Sequence, residues 1–528
     1  MAEHLLGSAD TLLQDGQMQP FELEGKTLLL ARVNGEYYAT AGKCSHYSGP
    51  LHEGVLHGHT IMCPWHHACF DVRSGARLEP PALNDLAHYP VRIEDGMVRV
   101  TLPHDNVTAP QGKSDPAVQQ TYLIVGGGAA GNAAAETLRR AGFRGRILVL
   151  SAVPTVPLDR PNLSKDYLDG HAKPEWMFLR DEGWYAERDI ELRLNTEVTR
   201  LDPAAQILHL AGGESLHYDR LLLATGAVAR RLRNVPGADL NGIYTLRSMA
   251  DADAIIDAVE AGHRVVVIGA SFIGMEVAAS LAGGRGAQVH VVAPEAVPFD
   301  RILGEDIGWM IQREHQAHGV QFHLGEGVTG FKGSDGVVSG VELKSGDTLA
   351  ADCVVVGIGV APATEFLRDS GLLLDEKDGS VRVDNRLQTS HPGVFAAGDI
   401  ARWGDGPGTR IEHWRVAEQH GIVAALNMLG GAQDVSERVP FFWTHQWDLT
   451  LNYVGHAMKW DDIVVRGSLD DKQFIAFYVV GSQLQAAVGS NADQDLAALE
   501  FILRHHLPLT VEQMRDPVFS LVDYARRA

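Results

Sequence analysis

Cysteine is scarce, with four in 528 residues, too few for a disulfide framework and suited to a reducing compartment. Basic charge is also short: 45 Lys and Arg stand against 67 Asp and Glu, a net charge of −22, which argues against nucleic acid and anionic membranes as partners. No uninterrupted apolar run reaches the about eighteen residues of a membrane span. Met1 to Pro20 has neither a basic segment nor a sustained apolar core, so no secretory signal or transit peptide is expected, and the expected location is cytoplasmic. What is plentiful is glycine, 56 residues, within a 45% hydrophobic composition. A chain of this length should hold three or four domains, since single cores stop growing near about 250 to 300 residues.

Two of the few cysteines are paired with histidines. Cys44-Ser-His46 is followed, after sixteen residues, by Cys63-Pro-Trp-His66. Two thiolates and two imidazoles suit a Rieske [2Fe–2S] cluster, in which one iron takes the sulfurs and the other the nitrogens. The same donors could satisfy a tetrahedral zinc ion, although zinc fingers group their cysteines first and their histidines second. Cys44, His46, Cys63 and His66 are the expected ligands. His66 is preferred to His67 because its gap from Cys63 lets both side chains leave one turn toward one centre. Cys69 reads as a buried, inert thiol. Residues 20 to 102 resemble a ferredoxin-like Rieske domain through Gly42, Gly49, Pro50, Phe70-Asp71 and Ser74-Gly75. Tyr47 and Trp65 stand where high-potential members carry cysteine-bearing loops, which implies the lower-potential type.

Two glycine loops follow. Thr121-Tyr-Leu-Ile-Val leads into Gly126-Gly-Gly128-Ala-Ala-Gly131 and a helix expected from Asn132 to Ala141. Val265-Val-Val-Ile leads into Gly269-Ala-Ser271-Phe-Ile-Gly274 and a second helix. Each strand, turn and helix lets a pyrophosphate approach the backbone and a helix N-terminus. Further markers are Ala224-Thr225-Gly226, Gly357-Ile-Gly359 and Gly393-Val-Phe-Ala-Ala-Gly398-Asp399.

With these motifs, residues 120 to about 525 resemble a two-dinucleotide flavoprotein reductase. The whole chain resembles the apoptosis-inducing-factor-like family with an N-terminal Rieske domain, and its flavin part is similar to reductases that serve ring-hydroxylating oxygenases. The resemblance implies FAD held by Gly126, Gly128, Gly131 and Ala224, Thr225, Gly226. It implies NADH (or NADPH) held by Gly269, Ser271 and Gly274, with Gly359 a further cofactor-binding candidate. In the Arg160-Pro-Asn-Leu-Ser164-Lys165 segment, Arg160 would contact the adenine-nucleotide half and Lys165 would lie beside the isoalloxazine. Glu276 would pair with Lys165, and Gly398 and Asp399 would meet the ribityl chain. Glu412-His413-Trp414 matches the segment that sets an aromatic ring against the flavin, and Trp414 is a candidate for the surface between flavin and iron–sulfur domain. The catalytic candidates are thus Lys165, Glu276 and Trp414.

Departures from the pattern carry information. The strand Ile147-Leu-Val-Leu ends in Ser151 rather than in an acid that would bind the ribose, so FAD binding would lean on Arg160. After the second loop, Ala293-Pro294-Glu295 displaces the acid by two residues, and no Arg or Lys sits in that turn, which favours NADH over NADPH. No Cys-x-x-x-x-Cys pair follows the first loop, so a dithiol relay is excluded and the iron–sulfur centre is the remaining outlet for electrons.

The expected fold is multidomain α/β with an all-β N-terminal domain: a Rieske β-sandwich over 1–103, a linker over 104–119, and two Rossmann-like dinucleotide-binding domains. The FAD domain takes 120–247 and 357–435, split by an NAD(H) domain over 248–356, and a C-terminal α+β domain takes 436–528. The expected activity is an FAD-dependent NAD(P)H oxidoreductase of ferredoxin-reductase type passing single electrons to its own [2Fe–2S] cluster. The acceptor beyond it is not written in the sequence; an oxygenase, a cytochrome or a ferredoxin would suit, and a homodimer is compatible. The alternative is a redox-responsive NADH-binding signalling protein with slow turnover.

Overall fold

The computed structural model describes residues 2–102 and 112–527; residues 104–111 of the expected linker lie outside them. The described chain forms two compact units. One takes the residues through Leu102, then Ser436–Trp443 and the residues from Leu451 on. The other takes Gly112–Val435 and Thr444–Thr450.

In the first unit the N-terminal residues are all β. Strand Lys26–Val33 runs between Met18–Leu23 and Glu36–Ala41. Its unbroken apolar stretch is explained by two cores, one on each face. Leu28 and Leu30 join Tyr37, Val98 and Val100, while Leu29, Ala31 and Val33 join Leu51, Ile61 and Phe70, because successive side chains leave a strand on opposite sides. Strand Met97–Leu102 alternates instead, burying Val98, Val100 and Leu102 only. A small sheet of Val55–His57, Thr60–Met62, Cys69–Asp71 and Arg77–Glu79 follows. Its Val55, Met62 and Cys69 share a core with Phe441, Phe477, Leu499 and Phe501 of the C-terminal region. That region comprises a five-stranded sheet and the helices Asp493–Arg504, Val511–Arg515 and Leu521–Arg527.

The second unit holds two parallel five-stranded sheets. The first has the order Ile190–Arg193, Arg146–Leu150, Thr121–Val125, Arg220–Leu223, Val394–Ala396. The second has the order Ile243–Tyr244, Cys353–Val356, Arg264–Ile268, Gln288–Ala293, Gln321–Leu324. Their central strands are continuous apolar runs, as strands covered on both faces require. Val394–Ala396 follows the whole second sheet in the chain yet pairs with Arg220–Leu223 of the first, so the second sheet is inserted into the first domain. Helix Ala129–Arg140 begins three residues before the expected Asn132, because Ala129 to Gly131 of the glycine loop already form its first turn. It lies close to helix Trp414–Met428, where a Cβ at Gly421 would overlap the Ala130 carbonyl oxygen.

Candidate functional site

The two Cys-His loops of the first unit share one backbone frame. The Cys44 N–H donates to the Gly49 carbonyl at 2.9 Å and the Ser48 N–H to the Cys44 carbonyl at 3.0 Å. Likewise the Cys63 N–H donates to the Ala68 carbonyl at 2.9 Å and the His67 N–H to the Cys63 carbonyl at 3.2 Å. Ser48 (φ 61°) and His67 (φ 58°) occupy the same left-handed position in each loop. Gly49 is required where it stands, since a Cβ there would come within 2.9 Å of the Cys63 sulfur.

The four expected ligands pair by donor type. The Cys44 and Cys63 thiols are buried and hydrogen-bonded to each other, which lowers the first and raises the second. His46 Nδ1 lies 3.1 Å from His66 Nδ1, with the rings at 83°. Burial holds the His46 imidazole neutral by pulling its pKa to about 4, the form in which a ring nitrogen binds metal. Among the described residues no three His, Cys, Asp or Glu side chains converge as they would about one ion. Two sulfurs and two nitrogens, each pair facing itself, fit a two-iron cluster better than a tetrahedral zinc ion. His67 turns away, its Nδ1 2.7 Å from Glu500 Oε2, and Trp443 lays its ring 4.5 Å from that of His66. Cys69 is fully buried, its thiol 3.5 Å from the His67 carbonyl.

In the second unit the glycine loops repeat one geometry. Gly126 (φ 111°) and Gly269 (φ 113°) abut the Ala224 and Gly357 carbonyls, and a Cβ at Gly131 or Gly274 would overlap the Gly126 or Gly269 carbonyl oxygen. Gly128 and Ser271 cap helices Ala129–Arg140 and Phe272–Gly283 without a side-chain hydrogen bond, leaving those N-termini able to receive an anion. Ser151 is buried, its Oγ facing Gly127. Thr225 Oγ1 donates to the Ala363 carbonyl at 2.8 Å, and Gly226 and Gly359 take left-handed conformations. Glu295 is half-buried past the end of strand Gln288–Ala293.

Between the loops, Lys165 Nζ lies 2.8 Å from Glu276 Oε2. Arg160 is half-buried, and loss of water around its guanidinium pulls the pKa down to about 10, with nearby Arg247 adding to the shift and Asp399 opposing it. Arg247 Nη2 donates to Asp399 Oδ2 at 2.7 Å, and Gly398 begins that short turn. Glu412 accepts an ion pair from Arg410 at 2.5 Å, yet desolvation raises its carboxyl above the ordinary range. His413 caps helix Trp414–Met428 and approaches Phe272, ring centroids 6.1 Å apart. Trp414, at that helix's start, packs against the core of the first dinucleotide sheet.

Sequence reasoning passed over several residues. Arg247 is an isolated arginine whose role depends on folding. Arg301 is six residues beyond Glu295, past the turn that follows strand Gln288–Ala293, and its Nη2 comes to 4.0 Å from Glu295 Oε1. Thr444 Oγ1 donates to Glu276 Oε1 at 2.7 Å; Thr444 and Gln446 are polar residues two apart on the buried side of strand Phe441–Gln446, a signal that they need internal partners.

Comparison with known proteins places this geometry. Residues 120–421 match the family described as pyridine nucleotide-disulphide oxidoreductase, residues 4–90 the Rieske [2Fe-2S] domain, and residues 441–525 the reductase C-terminal domain. Apoptosis-inducing factor 3 of Homo sapiens is 37% identical over 93% of this chain and 82% of its own length. Rhodocoxin reductase of Rhodococcus erythropolis is 37% identical over 76% of this chain and 93% of its own. Among solved structures, the covalent putidaredoxin reductase–putidaredoxin complex superposes with a TM-score of 0.74 at 32% identity, covering 78% of this chain and 99% of the matched one.

Proposed function

Because the chain belongs to the pyridine nucleotide-disulphide oxidoreductase family and carries Rieske and reductase C-terminal domains, we propose that it oxidises NADH and delivers electrons singly, through its own cluster, to an external acceptor. It is an FAD-dependent oxidoreductase, and the cofactors of this membership are FAD, NAD(P)H and a [2Fe–2S] cluster. FAD held between the glycine loops would supply hydride acceptance from the nicotinamide, and a [2Fe–2S] cluster held by Cys44, His46, Cys63 and His66 would supply single-electron acceptance, at Rieske potentials of about −150 to +300 mV.

The residues of this chain position and tune. Gly126, Gly128 and Gly131 open the backbone to the FAD pyrophosphate, aided by Arg160; Gly269, Ser271 and Gly274 do the same for NADH. Glu295 offers an acceptor to the ribose hydroxyls. Lys165 holds a positive charge where the reduced ring gains negative charge, with Glu276 fixing its position. Cys44, Cys63, His46 and His66 hold the cluster. Buried cysteines that form no disulfide with one another suit a cytoplasmic setting, where thiols stay reduced.

The observation that carries the reading is the facing of His46 Nδ1 and His66 Nδ1 at 3.1 Å, an iron-binding pair in a chain with no dithiol relay. Cys63→Ala tests it. The variant should lose the cluster, keep NADH-dependent bleaching of FAD, and fail to reduce cytochrome c; unimpaired cytochrome c reduction would contradict the proposal. The match to apoptosis-inducing factor 3 over 93% of the chain favours a second reading, an NADH-binding signalling protein with slow turnover. Fast turnover with a one-electron acceptor supports the enzyme, and a long-lived reduced complex with bound nicotinamide supports the sensor.

A further inference from the structure

A line of buried polar side chains ends on Glu276. Thr444 Oγ1 lies 2.7 Å from Glu276 Oε1, Gln446 Nε2 lies 3.0 Å from Thr444 Oγ1, and His315 Nε2 lies 2.8 Å from Gln446 Oε1. All four residues are at least nine-tenths buried. The direction of each bond is fixed by chemistry. Glu276 Oε2 already accepts from Ser164 Oγ at 2.5 Å and from Lys165 Nζ at 2.8 Å, so the carboxylate is an acceptor on both oxygens. Thr444 therefore donates to it and must accept from the Gln446 amide nitrogen, whose oxygen then accepts from His315 Nε2–H. Among the described residues His315 Nδ1 has no hydrogen-bond partner, which a neutral ring protonated on Nε2 tolerates because that atom then carries a lone pair and no hydrogen, and burial holds the ring neutral with a pKa of about 4.

Three donors thus run head to tail from helix Glu305–Ala317 toward one carboxylate, each polarising the next. Aligned dipoles of this kind present their positive ends to the acceptor, as a helix N-terminus does. We infer that Thr444, Gln446 and His315 are positioning residues that disperse the negative charge of Glu276, leaving Lys165 a stronger net cation toward the flavin and raising the reduction potential of bound FAD. The inference rests on the reading that Lys165 lies beside the isoalloxazine, and deepens it. It also gives residues 444–450, which belong to the reductase C-terminal match yet group with the nucleotide-binding unit, a role in flavin electrostatics.

The test is the midpoint potential of bound FAD, measured by anaerobic dye equilibration on the full-length holoprotein and its variants. Thr444→Val keeps the shape and removes the donor; it should shift the potential to more negative values. Gln446→Leu should shift it the same way by a smaller amount. Thr444→Ser retains the hydroxyl and should restore the wild-type potential, which a merely structural role for the methyl-bearing side chain would not do. Lys165→Met tests the underlying reading separately and should also move the potential negative. A shift in Lys165→Met with a wild-type potential in Thr444→Val overturns the inference alone. An unmoved potential in Lys165→Met overturns the reading and the inference together. Should Thr444→Val fail to bind FAD, Gln446→Leu and Thr444→Ser decide: wild-type potential in the first, or a negative shift in the second, overturns the inference.

Discussion

His67 Nδ1 and Glu500 Oε2 lie 2.7 Å apart with both side chains fully buried, while the preceding residue, His66, faces His46. Two adjacent histidines therefore do different work. Glu500 also accepts from Arg504 at 2.7 Å, so removing His67 leaves a buried carboxylate short of one partner. His67→Ala should cost about 1–3 kcal/mol of stability, the penalty for leaving a buried hydrogen-bonding group short of a partner, while retaining the visible spectrum of the cluster. His66→Ala should lose that spectrum. Thermal unfolding and iron content on the two variants check the division.

The glycine loops should separate by cofactor. A methyl at Gly131 would collide with the Gly126 carbonyl, and one at Gly274 with the Gly269 carbonyl. Gly131→Ala should be purified without FAD. Gly274→Ala should remain yellow and be bleached by dithionite, with the apparent NADH affinity reduced at least about tenfold, a loss of about 1.4 kcal/mol. Absorbance titrations distinguish the outcomes.

Coenzyme choice should depend on the pair Glu295 and Arg301. With the carboxylate in place, the ribose hydroxyls find an acceptor and a 2′-phosphate is repelled. Glu295→Ala leaves Arg301 free to meet a phosphate, so the NADH-over-NADPH ratio of kcat/KM should fall about tenfold, or about 1.4 kcal/mol. Adding Arg301→Ala should return most of that change if the arginine is responsible.

Acid should destabilise the nucleotide-binding unit through two buried histidines. Loss of water pulls His315 and His420 each to about 4 in the folded chain, against about 6.5 unfolded. Between those values the unfolded chain binds more protons, so stability is complete above about pH 6.5 and falls toward pH 4, by up to about 1.4 kcal/mol per pH unit for each histidine. Denaturant unfolding across that range should show the slope, and His420→Gln should remove its share of it.

How much of this was legible beforehand follows from distance along the chain. The Cys-His loops and glycine loops are local: their geometry is set by a handful of consecutive residues, so Cys44 to His66 and Gly126 to Gly131 could be read directly. Strand runs such as Arg264–Ile268 were equally plain, because full burial demands continuous apolar residues. Lys165 and Glu276 could be paired only through resemblance. Thr444 and Gln446 gave only a hint, two polar residues spaced for one face of a strand; what they meet was not legible, since Glu276 and His315 lie more than a hundred residues away. Arg247 escaped for the same reason, its partner Asp399 lying 152 residues on; Arg301 is only six residues from Glu295, but a surface arginine and a site arginine look alike until the fold brings an acid beside one of them.

The proposed route carries electrons from NADH through the flavin to the iron–sulfur centre of the same chain. Anaerobic rapid mixing of the holoprotein with NADH, followed at flavin and cluster wavelengths, resolves its order. Flavin absorbance should fall first, and cluster absorbance should follow at a rate independent of protein concentration. A flavin that bleaches while the cluster stays oxidised, though dithionite reduces it, would rule the route out.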